Sequence, residues 1–128
     1  MIFDGAHNPQ GISSAVESIA EYFGDERLVA VSGVLKDKDY EAIAKEISKV
    51  VSHTFTITPD SPRALPAEEY ARVLENYGVA AQAHPSVNSA VRAAITLAKS
   101  ENKSVVCLGS LYTYSEVIEA VKAHKNSN

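Results

Sequence analysis

Residues 28–58 read LVAVSGVLKDKDYEAIAKEISKVVSHTFTIT. Leu28 to Ser32 is almost continuously apolar, as a strand covered on both faces must be. Tyr40, Ile43, Ala44, Ile47 and Val51 then recur at helical steps, which gives one apolar stripe along a helix. Thr54 to Thr58 returns to β-branched and aromatic residues, the composition of a second strand. A strand, a helix and a strand joined by short connections call for parallel strands and a right-handed crossover.

The same alternation runs outward in both directions. Short strand-forming runs occur at Ile2 to Asp4, Val79 to Ala83 and Ser104 to Leu108. Helical stripes occur at Ile12, Ala15, Val16, Ile19, Ala20 and Phe23, then at Tyr70, Val73, Leu74 and Tyr77. Two more follow, at Val87, Ala90, Val91, Ala94 and Ala98 and at Tyr114, Val117, Ile118 and Val121. Asn8 before Pro9 suits an N-cap and first helical turn, and Thr113 with Glu116 has capping-box spacing. The pattern predicts an α/β domain: a Rossmann-like three-layer sandwich with a mostly parallel sheet. The domain is expected over residues 1–124, with 125–128 a frayed tail.

A chain of 128 residues holds one such domain and buries enough surface for a core. Its 12 basic and 16 acidic residues give a net charge of -4, and no basic stretch tracks a phosphate backbone, so nucleic acid is not an expected partner. The single cysteine, Cys107, has no internal disulfide partner and reads as a buried thiol. No apolar run reaches the roughly 18 residues that cross a bilayer, so no membrane is expected and the expected compartment is the cytoplasm. The first strand begins at residue 2 and the polar run Asp4-Gly5-Ala6-His7-Asn8-Pro9 follows at once, as in a domain taken from a longer chain.

In open parallel sheets, ligands collect beyond the carboxyl ends of the strands, where helix N-termini and loop amides converge. Asp4, His7 and Asn8 follow the first predicted strand, and Ser32-Gly33 with Lys36-Asp37-Lys38-Asp39 follow the second. Thr58-Pro59-Asp60-Ser61-Pro62-Arg63 follow the third, and Gly109-Ser110-Leu111-Tyr112 follow the last. The loops at the other edge, Gly24 to Arg27 and Ser100 to Lys103, read as ordinary solvated turns. Asp4 and His7 are spaced to address one ligand, the carboxylate setting charge or tautomer and the imidazole donating a hydrogen bond; the same spacing serves helix capping. The mixed charges from Lys36 to Asp39 suit a phosphate or a partner domain, or simply a wet helix entrance. Arg63 sits in a proline-stiffened loop where a guanidinium can meet an anion or stay solvated, and Ser110 at a helix entrance can bind a ligand or cap.

Other chemistries lack their parts. No Gly-x-Gly-x-x-Gly follows a strand, no Walker-type loop is present to hold a nucleoside triphosphate, and no Gly-x-Ser-x-Gly elbow occurs. His53, His84 and His124 have no metal-ligand spacing with one another or with Cys107, so no metal site is expected. A phosphoacceptor receiver domain needs an acidic pair after its first strand and a lysine after its last, whereas this chain has Asp4 alone and Gly109-Ser110.

Taken in order, Asp4-Gly5-Ala6-His7-Asn8-Pro9, Gly33-Val34-Leu35-Lys36-Asp37-Lys38-Asp39, Ser61-Pro62-Arg63-Ala64 and Gly109-Ser110-Leu111-Tyr112 resemble the C-terminal domain of the folylpolyglutamate and dihydrofolate synthase family, within the Mur ligase superfamily. The resemblance covers nearly the whole chain. It implies an ATP-dependent ligase that phosphorylates a folate or dihydropteroate carboxylate and lets the amine of L-glutamate attack the acyl phosphate. In that family this domain binds glutamate and part of ATP, while the P-loop, the magnesium ligands and the pterin pocket lie on an N-terminal ATPase domain. The implied partners are therefore that absent N-terminal domain, L-glutamate, and folate or dihydropteroate. ATP and Mg2+ belong to the full-length enzyme, with none held by this domain alone, and the isolated domain is expected to be inactive.

Carried over by position, the resemblance makes Asp4 a catalytic residue that contacts ATP or organises the cleft. It makes His7 a catalytic residue that positions glutamate and the phosphorylated intermediate. Ser110 is implied to contact glutamate, Lys38 with Asp37 and Asp39 to face the interdomain cleft on the substrate side, and Arg63 to serve the cofactor. The family sheet has six strands against five found here, so one short or antiparallel strand is expected beyond the periodic ones. Another Mur-type amino-acid ligase and a non-enzymatic α/β binding module are the alternative readings.

Overall fold

A computed structural model describes residues 2–3, 9–24 and 26–109 of the chain. The elements run β1 (Ile2–Phe3), α1 (Pro9–Phe23), β2 (Leu28–Gly33), α2 (Tyr40–Ile47), β3 (Val51–Thr56), α3 (Ala67–Asn76), β4 (Ala80–Ala83), α4 (Val87–Glu101) and β5 (Val105–Gly109). They build one sheet in the order β1-β5-β2-β3-β4, with every neighbouring pair parallel. The chain steps outward through β2, β3 and β4, and α4 then carries it back to insert β5 between β1 and β2.

Two apolar layers hold the sheet between helices. One joins Ile12, Val16 and Ile19 of α1, Ile43 and Ile47 of α2, and Tyr70 and Leu74 of α3 to Leu28, Ala30, Val106 and Leu108 of the strands. The other joins Val87, Ala90, Val91, Ala94 and Ala98 of α4 to Val29, Val31, Phe55, Val105 and Cys107. Alternate residues of β2 and β5 feed opposite layers, which is why both strands are apolar throughout. Among the described residues, no helix is long and apolar enough to cross a membrane.

The helical stripes locate the four described helices, but some ends differ. Val51, which continues the α2 stripe in sequence, is the first residue of β3 and pairs with Leu28. The helix stops at Ile47, where Ser48 caps it and bonds back to the Lys45 carbonyl. Val51 is buried in the same layer as Ile43 and Ile47, so an apolar side chain satisfies that layer from either backbone and periodicity cannot tell the two apart. Strand β3 accordingly covers Val51–Thr56 rather than residues 54 to 58, although Ile57 still donates to the Ser32 carbonyl. Helix α3 starts at Ala67, ahead of the first residue of its stripe, with Glu68 and Glu69 in the first turn where the helix dipole favours acid. Asn102, in a left-handed conformation at φ 54°, ends α4.

The edge away from the carboxyl ends carries more than solvated turns. Lys103 donates to Ser52 at 2.8 Å and pairs with Glu101, while Arg27 donates to the Ser48 carbonyl at 2.7 Å. Five strands are present among the described residues, with one isolated antiparallel bridge, Leu35 to Ala64, outside them. The fifth helical stripe, Asn8, Thr113 with Glu116, and the tail 125–128 lie outside the described residues.

Candidate functional site

Because all neighbouring strands are parallel, their carboxyl ends share one edge. Gly33 at the end of β2 pairs in register with Gly109 at the end of β5, and Phe3 at the end of β1 pairs with Cys107. Gly33 is a glycine for a steric reason: a Cβ there would stand 3.0 Å from Ile57 Cγ1, 3.0 Å from the Ile57 carbonyl oxygen and 3.1 Å from Pro59 Cγ. The exits of β2 and β3 therefore run against each other from the last strand residue onward.

Beyond the strands the two loops stay joined. Lys36 N–H donates to the Arg63 carbonyl at 2.7 Å, and Leu65 N–H donates to the Val34 carbonyl at 3.0 Å, on either side of the Leu35 to Ala64 bridge. Arg63 Nη1 donates to Asp37 Oδ2 at 2.9 Å, an ion pair whose side chains remain about half exposed, at 52% and 45%. Asp39 performs a different task, accepting from Ala42 N–H at 3.2 Å as the N-cap of α2. Lys38 lies between these two anchored carboxylates. Its N–H donates to the Leu35 carbonyl and its own carbonyl accepts from Tyr40 N–H, so its backbone is held on both sides. Among the described residues no hydrogen bond or ion pair engages its ammonium.

Hydroxyls support this rim, those of Ser32, Thr56 and Tyr70 from within the core. Ser32 Oγ and Tyr70 OH lie 2.8 Å apart within the core, and burial drives the Tyr70 phenol far above its ordinary range, leaving it a neutral hydrogen-bonding group. Thr56 Oγ1 donates to the Ala67 carbonyl, and Ala67 N–H donates to Thr58 Oγ1 at 2.9 Å. Thr58 thus supplies the side-chain acceptor that the N-cap of α3, Pro66, lacks. At the end of β4, His84 Nδ1 bonds Ser89, its ring meets Phe55 edge-to-face, and burial lowers its pKa below the ordinary 6.5. Cys107, buried in the α4 layer, has its thiol pushed up to about 12 by desolvation.

Of the carboxylates from Lys36 to Asp39, one is spent on Arg63 and the other on a helix cap, while Lys38 presents positive charge. No group of three or more His, Cys, Asp or Glu side chains among the described residues could hold a metal ion. A cavity of about 360 Å³ lies elsewhere, against His53, Phe55, Ala80, Gln82 and Leu97, and contains none of the rim residues.

Of the residues that the sequence singles out, Lys38, Asp37, Asp39 and Arg63 stand together on this edge. Asp4, His7 and Ser110 lie outside the described residues, although β1 and β5 end at Phe3 and Gly109, immediately before Asp4 and Ser110 in the chain. Sequence reading did not find Thr58, Ser32 or Tyr70 as supports of the rim, since each acts across 9 or 38 residues and no local pattern encodes the contact.

A parallel sheet with helices on both faces has the doubly wound architecture, in which ligands bind beyond the carboxyl ends of the strands. Residues 1–111 match the Mur ligase, glutamate ligase domain, and the chain belongs to that family. It is 29% identical over 127 residues to the folylpolyglutamate synthase of Lacticaseibacillus casei, covering 98% of this chain and 28% of that protein. Escherichia coli FolC, solved in complex with DHPP and ADP, superposes with a TM-score of 0.83 at 29% identity, over 95% of this chain and 28% of that one. The bifunctional folylpolyglutamate synthase/dihydrofolate synthase of Yersinia pestis, complexed with AMPPNP and Mn ion, gives a TM-score of 0.77 at 28% identity, over 93% and 28%. The chain thus spans little more than a quarter of the length of these relatives, and it corresponds to their glutamate ligase domain.

Proposed function

We propose that this chain is the glutamate-binding C-terminal part of an ATP-dependent ligase that joins L-glutamate to folate or dihydropteroate. The observation that carries the reading is Lys38: an ammonium with no partner among the described residues, set on a pinned backbone at the carboxyl-end edge where open parallel sheets collect ligands. A dicarboxylate amino acid supplies the complementary charge. Lys38, His7 and Ser110 are assigned to glutamate, and Asp4 and Arg63 to the nucleotide side of the cleft. Relatives solved with ADP or AMPPNP, with DHPP and with Mn ion support a nucleotide, a folate-type substrate and a metal in the full-length enzyme.

As the family resemblance implies, the metal ligands and the phosphate-cradling loop are assigned to the N-terminal domain of the full-length enzyme, this chain having no Walker-type loop. The chemistry divides accordingly. The γ-phosphoryl group passes from ATP to the folate carboxylate oxygen, giving ADP and an acyl phosphate. The glutamate nitrogen then attacks the acyl carbon, the C–O bond to phosphate breaks, and amide, inorganic phosphate and a proton result. This domain contributes position: it holds the amine toward the acyl carbon, and closure against the N-terminal domain keeps water away from a hydrolysable intermediate. The setting is the cytoplasm, where ATP is available.

The reading is tested by steady-state ligation in the full-length enzyme with Lys38→Ala. Loss of a charge-assisted contact of about 1.5–3 kcal/mol is expected to raise the glutamate KM at least tenfold, with the KM for ATP little changed. An unchanged glutamate KM removes Lys38 from the glutamate site.

A further inference from the structure

The four charges from Lys36 to Asp39 look alike in sequence, yet the structure gives the two carboxylates separate tasks. Asp39 is committed to the first turn of α2. Asp37 reaches across to the neighbouring loop and takes Arg63 Nη1 at 2.9 Å. Backbone bonds from Lys36 to the Arg63 carbonyl and from Leu65 to the Val34 carbonyl already run the two loops side by side, so the ion pair closes the open end of a short antiparallel ribbon. Lys38 is the next residue after Asp37 and precedes Asp39, and it is therefore suspended between a clasp and a cap.

We propose that Asp37 is a positioning residue: by holding Arg63 it clasps the exit loop of β2 to that of β3 and fixes where the Lys38 ammonium stands. This inference rests on the reading of Lys38 as a glutamate contact. Arg63 then has a second task besides the one assigned to it on the nucleotide side, since the same guanidinium anchors the loop of its neighbour. An ion pair this exposed adds little to overall stability, but a small difference in the pose of a binding cation is read directly in affinity.

The test uses the full-length ligase, with KM for glutamate, KM for ATP, kcat and melting temperature measured for each variant. Asp37→Asn keeps the shape and removes the charge; the expected result is a glutamate KM raised about threefold to tenfold, with kcat within about twofold and an unchanged melting temperature. The charge-swapped double variant, Asp37→Arg with Arg63→Asp, restores the clasp with reversed polarity and is expected to bring the glutamate KM most of the way back. The ATP KM of the swap stays raised, because the cation has moved to the other loop. A glutamate KM unmoved in Asp37→Asn, while Lys38→Ala still raises it, overturns the clasp and leaves the Lys38 assignment standing. A swap that fails to rescue the glutamate KM while melting normally also overturns it. If Lys38→Ala itself leaves the glutamate KM unchanged, the underlying reading has failed instead.

Discussion

Lys38 and His84 show how the surroundings of a side chain decide its behaviour. Lys38 keeps its charge available because the neighbouring carboxylates are spent elsewhere. His84 is biased the other way: its ring lies against Phe55, its Nε2 is buried, and among the described residues no hydrogen-bond partner reaches that nitrogen and no carboxylate pairs with the ring. Burial therefore lowers its pKa in the folded chain, so the unfolded chain binds the proton more readily. The contribution of neutral His84 is complete above its ordinary pKa of 6.5 and is lost as the pH falls below that value. Denaturant titrations between pH 7.5 and about 5 should show stability declining on acidification, with a shallower decline in His84→Gln. Equal slopes for the two proteins rule out this source of acid sensitivity.

At the scale of elements, α3 illustrates a helix started by a residue that it does not contain. Pro66 fixes the entry and leaves no side-chain acceptor, and Thr58, on the way out of β3, receives the Ala67 N–H. Removing that hydroxyl leaves an N-terminal amide without its partner, so Thr58→Ala should lower unfolding free energy by about 1 kcal/mol. Thr58→Ser keeps the acceptor and should recover most of it; equilibrium denaturation of both variants gives the answer, and equal losses point to the methyl group instead. Helix α2 is the ordinary contrast, with Asp39 capping from its own chain neighbourhood. That local cap is legible in Lys36-Asp37-Lys38-Asp39 followed by an apolar stripe, whereas the Thr58 cap is not legible in any window of sequence.

At the scale of the whole molecule, the parallel sheet delivers the ends of β1, β5, β2 and β3 to one edge, which the proposed function makes half of a site. On that proposal the other half belongs to the N-terminal domain of the full-length enzyme. Residues 1–128 alone are expected to show no ATP-dependent glutamate ligation. In the full-length enzyme, Asp4→Ala and His7→Ala should each lower turnover by about a hundredfold, in the range that lost positioning or acid–base groups produce. Circular dichroism and melting should be near those of the parent, since both residues are polar and precede the first helix in the chain. Near-normal turnover in both variants would count against their place at the site.

The sequence by itself determined the class of fold and the edge on which to search. Apolar stripes at helical spacing and short β-branched runs are local consequences of burial, and they survive in the linear order of residues. It also marked Lys36 to Asp39 and Arg63 as unusual, although it could not divide the work among them. Tertiary structure decided that division: the exits of β2 and β3 meet because Gly33 lets Ile57 and Pro59 approach, and only then does Asp37 find Arg63, 26 residues away. It also decided that Val51 is strand rather than helix, because its side chain enters the same apolar layer either way and only pairing with Leu28 breaks the tie. Contacts between residues far apart in the chain are set by sheet order and register, which periodicity does not encode.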